Sequence, residues 1–320
     1  MRTELTDTTS SKIDRALLDA RRAIGSPTMG LVLTLVIATD EENAYDAVRA
    51  ASEASREHPC RIIVVIKRTS RGSHKLRQTR LDAELRVGSD AGTGEIVLLR
   101  LHGALTEQAG SVVLPLLVPD APVVVWWPAD APADPARDPL GALAQRRITD
   151  AEAVADPVEV LDRRAAAYAP GDTDLAWTRL TPWRALLAAA MDQKPLPVTG
   201  AAVESEADNP SAELLARWLH DRLGVPVERI TTDGPVITRV RLATAAGEIT
   251  VDRPDGALAT LMLPGSPDRK VALKIRSKAE LISEELRRLD ADEVYASALR
   301  KRPAPAASPS PAASPSPASL

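Results

Sequence analysis

Arg146-Arg147-Ile148-Thr149-Asp150 sets two guanidiniums beside a carboxylate. Such a group can hold a sugar phosphate or a partner's acidic groove, because a guanidinium fork donates two parallel hydrogen bonds to one oxyanion. The same residues can equally pair among themselves and fix a loop. A second concentration of such groups is DLAWTRLTPWR, residues 174–184, with Asp174, Trp177, Arg179, Pro182, Trp183 and Arg184. Trp and Arg are the types enriched at interface positions that carry binding energy. Trp177, between Asp174 and Arg179 and ahead of any committed helix face, is therefore a candidate exposed anchor. Trp126 and Trp127 are adjacent in APVVVWWP (121–128), which reads as a buried strand. Their side chains then point to opposite faces, so one packs under the covering helices and the other needs a second layer or a partner. The candidate partner-binding set is Trp126, Trp127, Arg146, Arg147, Asp150, Asp174, Trp177, Arg179 and Arg184.

Other chemistries find little support. Cys60 is the single cysteine, which excludes an internal disulfide or a cysteine zinc cluster and suits a reduced cytosolic protein. The four histidines, His58, His74, His102 and His220, stand at no metal-ligand spacing. There is no GxSxG elbow and no GxxxxGK[ST], and the glycines of 88–94 lie between two strand candidates, where a phosphate loop would lead into a helix. Expected, then, are no catalytic residue, no metal and no cofactor. The basic segment Lys67, Arg68, Arg71, Lys75, Arg77 and Arg80 lacks aromatics for base stacking, and the net charge is −4. It reads as a solvated loop or a charged docking surface, and nucleic acid is the weaker alternative. The apolar run 111–128 is interrupted by Pro115, Pro119, Asp120 and Pro122, and the N-terminus has no apolar leader. A cytoplasmic protein without membrane spans is expected.

These residues need elements to hold them. With 320 residues, 44% of them hydrophobic, the chain can bury two cores, and with no phenylalanine each Trp marks one. Ser11 to Asp14 resembles a capping box that opens a helix to Gly25. LVLTLVIAT (31–39) and RIIVVIKR (61–68) are strand runs separated by a helix from about Glu41 to Glu57, capped by Asp40, which is a parallel βαβ unit. LDAELRV and EIVLLRLHG add two strands, and 112–118 is a helix despite Pro115. Short helical or irregular pieces follow through RRITDAEA and PVEVLDRRAAAYA. Thr181-Pro182 then starts a helix whose apolar face claims Trp183. On this reading Trp183→Ala costs ~3–5 kcal/mol of stability, while Trp177→Ala weakens association without unfolding.

The predicted fold class is α/β, an open, mostly parallel sheet flanked by helices, followed by a smaller α+β domain with an antiparallel meander. Residues 1–10 form a flexible N-terminus, 11–191 the first domain, 192–210 a linker, 211–300 the second domain and 301–320 a disordered Pro/Ala/Ser tail acting as a spacer. In the second domain Ser211 caps a helix ending at Gly224, four strands form the meander, and Ser277-Lys278-Ala279-Glu280 opens a further helix to Leu289 before a last short one over 292–300.

VVVWWP, RRITDA, DLAWTRLTPWR and ISEELRRLDADEVYASAL together closely resemble the actinobacterial members of the OpcA family, the glucose-6-phosphate dehydrogenase assembly proteins, over about residues 11–300. The resemblance implies a non-catalytic partner and allosteric effector of glucose-6-phosphate dehydrogenase, at the entry of the oxidative pentose phosphate pathway. The redox response that the family's photosynthetic members show through cysteines does not carry over, because one cysteine cannot form an internal disulfide. The rival reading is a sugar-phosphate-binding or sugar-phosphate-processing enzyme with Arg146 and Arg147 as its anion site.

Overall fold

The structure, a computed structural model, describes residues 1–25, 30–68, 79–88, 94–193, 195–234 and 236–301. Arg71, Lys75 and Arg77, the centre of the 88–94 loop and the tail from 302 onward lie outside the described residues. The first part of the chain runs β1 (Arg2–Leu5), α1 (Ser10–Ile24), β2 (Leu33–Thr39), α2 (Ala44–Ala54), β3 (Cys60–Arg68), β4 (Arg80–Val87), β5 (Glu95–His102), α3 (Ala109–Val113), β6 (Val123–Trp126) and β7 (Arg146–Thr149). It continues through α4 (Pro157–Ala167), β8 (Asp172–Asp174), α5 (Leu175–Thr178) and α6 (Thr181–Gln193).

Among the described residues eight strands form one sheet in the order β1-β4-β5-β3-β2-β6-β7-β8. Every neighbour pair from β5 to β8 is parallel, and at one edge β4 pairs antiparallel with both β5 and β1, so β4 runs against the other strands of the sheet. The apolar β2 and β3 runs are continuous because both faces are covered. Leu35, Ile37, Ile62 and Val64 pack under α2, while Val36, Ile63 and Val65 pack under α1 and α3. Trp126 and Trp127 separate as their adjacency requires, Trp126 into the first of these cores and Trp127 into the second. Both are buried, so the second covering layer is the protein's own.

The chain then forms β9 (Val198–Ser205), α7 (Pro210–Leu223), β10 (Val227–Thr231), β11 (Ile237–Thr244), β12 (Gly247–Asp252), β13 (Leu258–Met262) and β14 (Arg269–Ala272). Last come α8 (Lys278–Arg287) and α9 (Glu293–Arg300). The expected meander is β11 to β14, antiparallel throughout. It belongs to a larger sheet, β10-β9-β11-β12-β13-β14, in which β9 pairs antiparallel with β11 and parallel with β10. The core against this sheet takes Trp177, Trp183 and Leu187 from α5 and α6, Leu214 and Leu215 from α7, and Tyr295 and Leu299 from α9.

Several expectations are corrected. Residues 198–205, expected within an aperiodic linker, are the strand β9. VTGAAVES has too few large apolar residues to show alternation, and it is ordered by ladders on both sides. Arg2–Leu5, expected to be flexible, pairs with β4 in register Arg2↔Arg86 as the charged outer edge. RRIT, expected in irregular chain, is the buried parallel strand β7. The first helix is capped by Thr9, whose hydroxyl accepts from the Lys12 amide, and not by Ser11. Asn209, and not Ser211, caps α7 ahead of Pro210. The helix after Asp40 is shorter than predicted, and Asp40 instead holds the Asn43 amide in the preceding turn. Thr181 lies inside α6, not at its cap, and its hydroxyl donates to Glu284. Finally, α8 does not stay with the second sheet: Ala279, Leu281, Ile282 and Leu286 pack into the first sheet's core beside α2, and Ser283 donates to Glu57 at 2.6 Å.

The α8 capping box forms as predicted, with Ser277 Oγ accepting from the Glu280 amide and Glu280 accepting from the Ser277 amide. Lys274, then the Ser277 amide, hold the Glu280 carboxyl down to about 2. A carboxyl lowered on folding contributes stability above its unfolded value of 4.5, and that contribution is lost as the pH falls toward 2. Ser277→Ala is expected to cost about 1 kcal/mol at neutral pH in urea unfolding. Glu280→Gln should cost less with each step down in pH, and a deficit that did not vary with pH would contradict the assignment.

Candidate functional site

The parallel strands β7 and β8 bring the two sequence clusters together. Arg147 pairs in register with Asp172, and Ile148 with Thr173. Because side chains alternate along a strand, Arg146 and Arg147 leave β7 on opposite faces. Arg147 donates to the Asp172 carboxylate, to the Ala144 carbonyl at 2.8 Å and to the Pro170 carbonyl. Gly171 makes this close approach possible: its φ is +93°, and a Cβ there would collide with the Gln145 carbonyl oxygen. Arg146, only 4% exposed, donates from Nε to Glu285 at 3.0 Å and from Nη1 to the Asp290 carbonyl at 2.7 Å. Of the two readings of this pair, internal ion pairing is the one built here, and the guanidiniums do not converge on one anion.

Asp174 ends β8 and caps α5, accepting from the Ala176 amide at 2.9 Å, the Ala151 amide at 3.1 Å and the Thr149 hydroxyl at 2.6 Å. Burial, and after it the Asp150 carboxylate, push the Asp174 carboxyl above its ordinary value, against those donors. Asp150 in turn is neutralised by Arg179, whose Nη1 lies 2.9 Å away, and Arg179 also reaches Glu152. The block thus ties β7, β8 and α5 into one charged knot.

Trp177 is where the structure departs furthest from expectation. It is 1% exposed, not a surface anchor. Its indole N–H donates to Asp292 at 2.8 Å, and its ring lies 5.7 Å from that of Tyr295. The Arg184 guanidinium stacks 3.7 Å above the ring. Asp292 uses its other oxygen to cap α9 through the Val294 and Tyr295 amides. Thr178 donates to Glu285 at 2.5 Å, the same carboxylate that Arg146 engages, and burial raises the Glu285 carboxyl although both partners oppose this. Trp183 is buried as predicted, with the Arg253 guanidinium 4.9 Å from its ring. DLAWTRLTPWR is therefore the joint at which both sheets, α8 and α9 meet.

Of the candidate set, Arg184 is half-buried, and it borders a cleft beside this joint that Arg146 also lines. The cleft, of about 490 Å³, lies between the start of α6, the end of α8 and the start of α9, and Thr181, Glu284, Arg287, Arg288 and Asp292 line it too. The α8 and α9 residues were missed as site residues, although ISEELRRLDADEVYASAL contains all of them. Nothing in their local spacing shows that they return to a strand 139 positions earlier.

The other candidates resolve simply. Lys67 lies 3.9 Å from Asp138, Arg68 pairs with Glu41, and Arg80 pairs with Asp82. The described members of the basic segment are thus paired with acids. Cys60 is buried in β3, and burial pushes its thiol up to about 12, far from a reactive thiolate. Among the described residues no group of three potential ligands could hold a metal ion, and no helix is long and apolar enough to cross a membrane.

Two family models match the chain, both described as domains of the glucose-6-phosphate dehydrogenase subunit. Residues 51–166 match the N-terminal domain of that description, and residues 170–299 match the C-terminal domain. The boundary between the matches falls just before β8, so the joint belongs to the second. No curated protein matches the chain. Among solved structures it is similar to one titled "Trehalose-6-phosphate from E. coli bound with UDP-2-fluoro glucose", at 9% identity and a TM-score of 0.26. That match covers 63% of this chain and 65% of the other, so the chain spans just under two thirds of that structure's length.

Proposed function

The chain belongs to the OpcA family of glucose-6-phosphate dehydrogenase assembly proteins, and from that premise we propose that it is a non-catalytic assembly factor and allosteric effector of the dehydrogenase in the cytoplasm. The observation that carries this reading is the family match across both halves, meeting at the joint built by DLAWTRLTPWR. A partner shifts an enzyme's equilibrium only by binding one of its states more tightly. This protein therefore favours the active, assembled dehydrogenase of the oxidative pentose phosphate pathway. The joint supports such a role by rigidity: α5 and α6 are fixed to α8 and α9 through Trp177, Thr178 and Thr181, so the surface they present is pre-formed.

The reading as a sugar-phosphate enzyme loses its anion site, since Arg146 and Arg147 face opposite sides of β7 and each is engaged by internal acceptors. The assembly reading is tested by adding the purified protein to the cognate dehydrogenase and following its KM for the sugar phosphate together with its oligomer size. A lower KM and a shift to the larger, active species are expected. No change in either would overturn the reading.

A further inference from the structure

The cleft beside the joint has an uneven hydrogen-bond inventory. All three of its carboxylates have both oxygens in use. Glu284 accepts from Thr181 at 2.7 Å and from Arg276. Glu285 accepts from Thr178 at 2.5 Å with one oxygen and from Arg146 at 3.0 Å with the other. Asp292 accepts from the α9 amides and from the Trp177 indole. The cations are not consumed in the same way. Arg288 is exposed, and its side chain has no acceptor among the described residues. Arg184 donates from Nη2 to Thr181 at 3.2 Å, but its Nε is buried without an acceptor. Among the described residues Arg287 has only Glu57, at 3.4 Å. The unused capacity is therefore entirely of donors, and it is positively charged.

The charge balance narrows the occupant. Arg146, Arg184, Arg276, Arg287 and Arg288 face Glu57, Glu284, Glu285 and Asp292, which leaves one uncompensated positive charge. A single carboxylate cancels it, whereas a dianionic phosphate would leave the cleft negative. Arg184 is also held ready. Stacking on the buried indole and the bond to Thr181 fix the plane of its guanidinium, so little side-chain freedom is lost when an anion binds.

We propose that the cleft between α6, α8 and α9 receives one acidic side chain of the dehydrogenase, with Arg184 and Arg288 as its cationic contacts. This rests on the reading that the chain binds that enzyme. The carboxylate accepts from the cleft-facing end of the Arg184 guanidinium, and because Arg184 lies on Trp177, whose indole holds the α9 cap, engagement of the partner reinforces the joint.

The test measures the affinity of the full chain for the cognate dehydrogenase by titration calorimetry, comparing wild type with Arg288→Glu. Arg288 has no internal partner among the described residues, so the variant should stay folded, with its Tm lowered by no more than a few degrees by the acid at the α8 C-cap. Arg15→Glu, on the exposed face of α1 beneath the opposite side of the first sheet, controls for net charge. Arg288→Glu is expected to weaken binding by about tenfold or more, since like charges placed across an interface are strongly unfavourable. Arg15→Glu should bind as wild type, and Arg184→Gln should weaken binding in the same direction as Arg288→Glu. If wild type binds and Arg288→Glu binds equally well, or if Arg15→Glu weakens binding as much, the cleft proposal is overturned while the assembly reading stands. If wild type does not bind at all, the assembly reading itself fails. Saturable binding of inorganic phosphate to the free protein, abolished by Arg288→Glu, would assign the cleft to a small anion and overturn the proposal.

Discussion

Trp177→Ala is expected to lower the free energy of unfolding by ~3–5 kcal/mol, the range for truncating a large buried ring. The ring is enclosed by Tyr295 and by the stacked Arg184, and its N–H holds Asp292. Truncation opens a cavity at the joint and strips the α9 cap of its side-chain support. Trp177→Phe separates the two contributions. It keeps much of the apolar area and loses the donor, so it should cost about 1–2 kcal/mol. Guanidinium unfolding of both variants, followed by far-UV circular dichroism, provides the comparison. A Trp177→Ala protein with wild-type stability would show that the ring is not held as described. Weaker association with an unchanged fold is the outcome for a surface ring, and so does not apply to this one. The stability ordering should instead bring Trp177 level with Trp183.

Arg146→Met is the second large effect. The Arg146–Glu285 pair is buried, and removing one partner of such a pair costs ~3–5 kcal/mol because the other charge is left without compensation. Burial already raises the Glu285 carboxyl in the intact protein, with Arg146 the first of the groups that hold it down. Without Arg146 it rises further. The sign follows from linkage: a carboxyl raised on folding destabilises the native state above its folded value, and the penalty disappears as the pH falls below its unfolded value. The deficit of Arg146→Met should therefore be largest at neutral pH and shrink in mildly acidic buffer. Arg146→Met with Glu285→Leu should recover much of the loss, since a buried pair replaced by apolar groups is often neutral. A deficit that is the same at both pH values and unrelieved in the double variant would mean the pair does not carry the coupling between β7 and α8.

These two residues also show what the sequence makes legible and what it hides. The parallel sheet is readable because LVLTLVIAT and RIIVVIKR are apolar on consecutive positions, which only a doubly covered strand tolerates. The opposite fates of Trp126 and Trp127 follow from strand alternation alone, and Trp183 follows from helical spacing. The capping box at Ser277 is a local pattern and is found where predicted. β9 is hidden because small residues leave no alternation to read, and β1 because its side chains are those of a charged edge. Trp177 reads as a surface ring because the partners that bury it, Asp292 and Tyr295, lie more than a hundred positions away. Charge pairs behave in the same way: Arg146 meets Glu285 across 139 positions, and no local spacing records it. What local chemistry dictates is legible, and what tertiary closure dictates is not.

The central claim is that this protein binds the assembled, active dehydrogenase more tightly than its smaller forms. Sedimentation velocity of the cognate dehydrogenase, at a fixed concentration where it is a mixture of forms, tests this directly as the protein is titrated in. The predicted result is a saturable shift of the enzyme into the larger species, with this chain co-sedimenting in it. A dehydrogenase distribution that stays unchanged at saturating protein would contradict the claim.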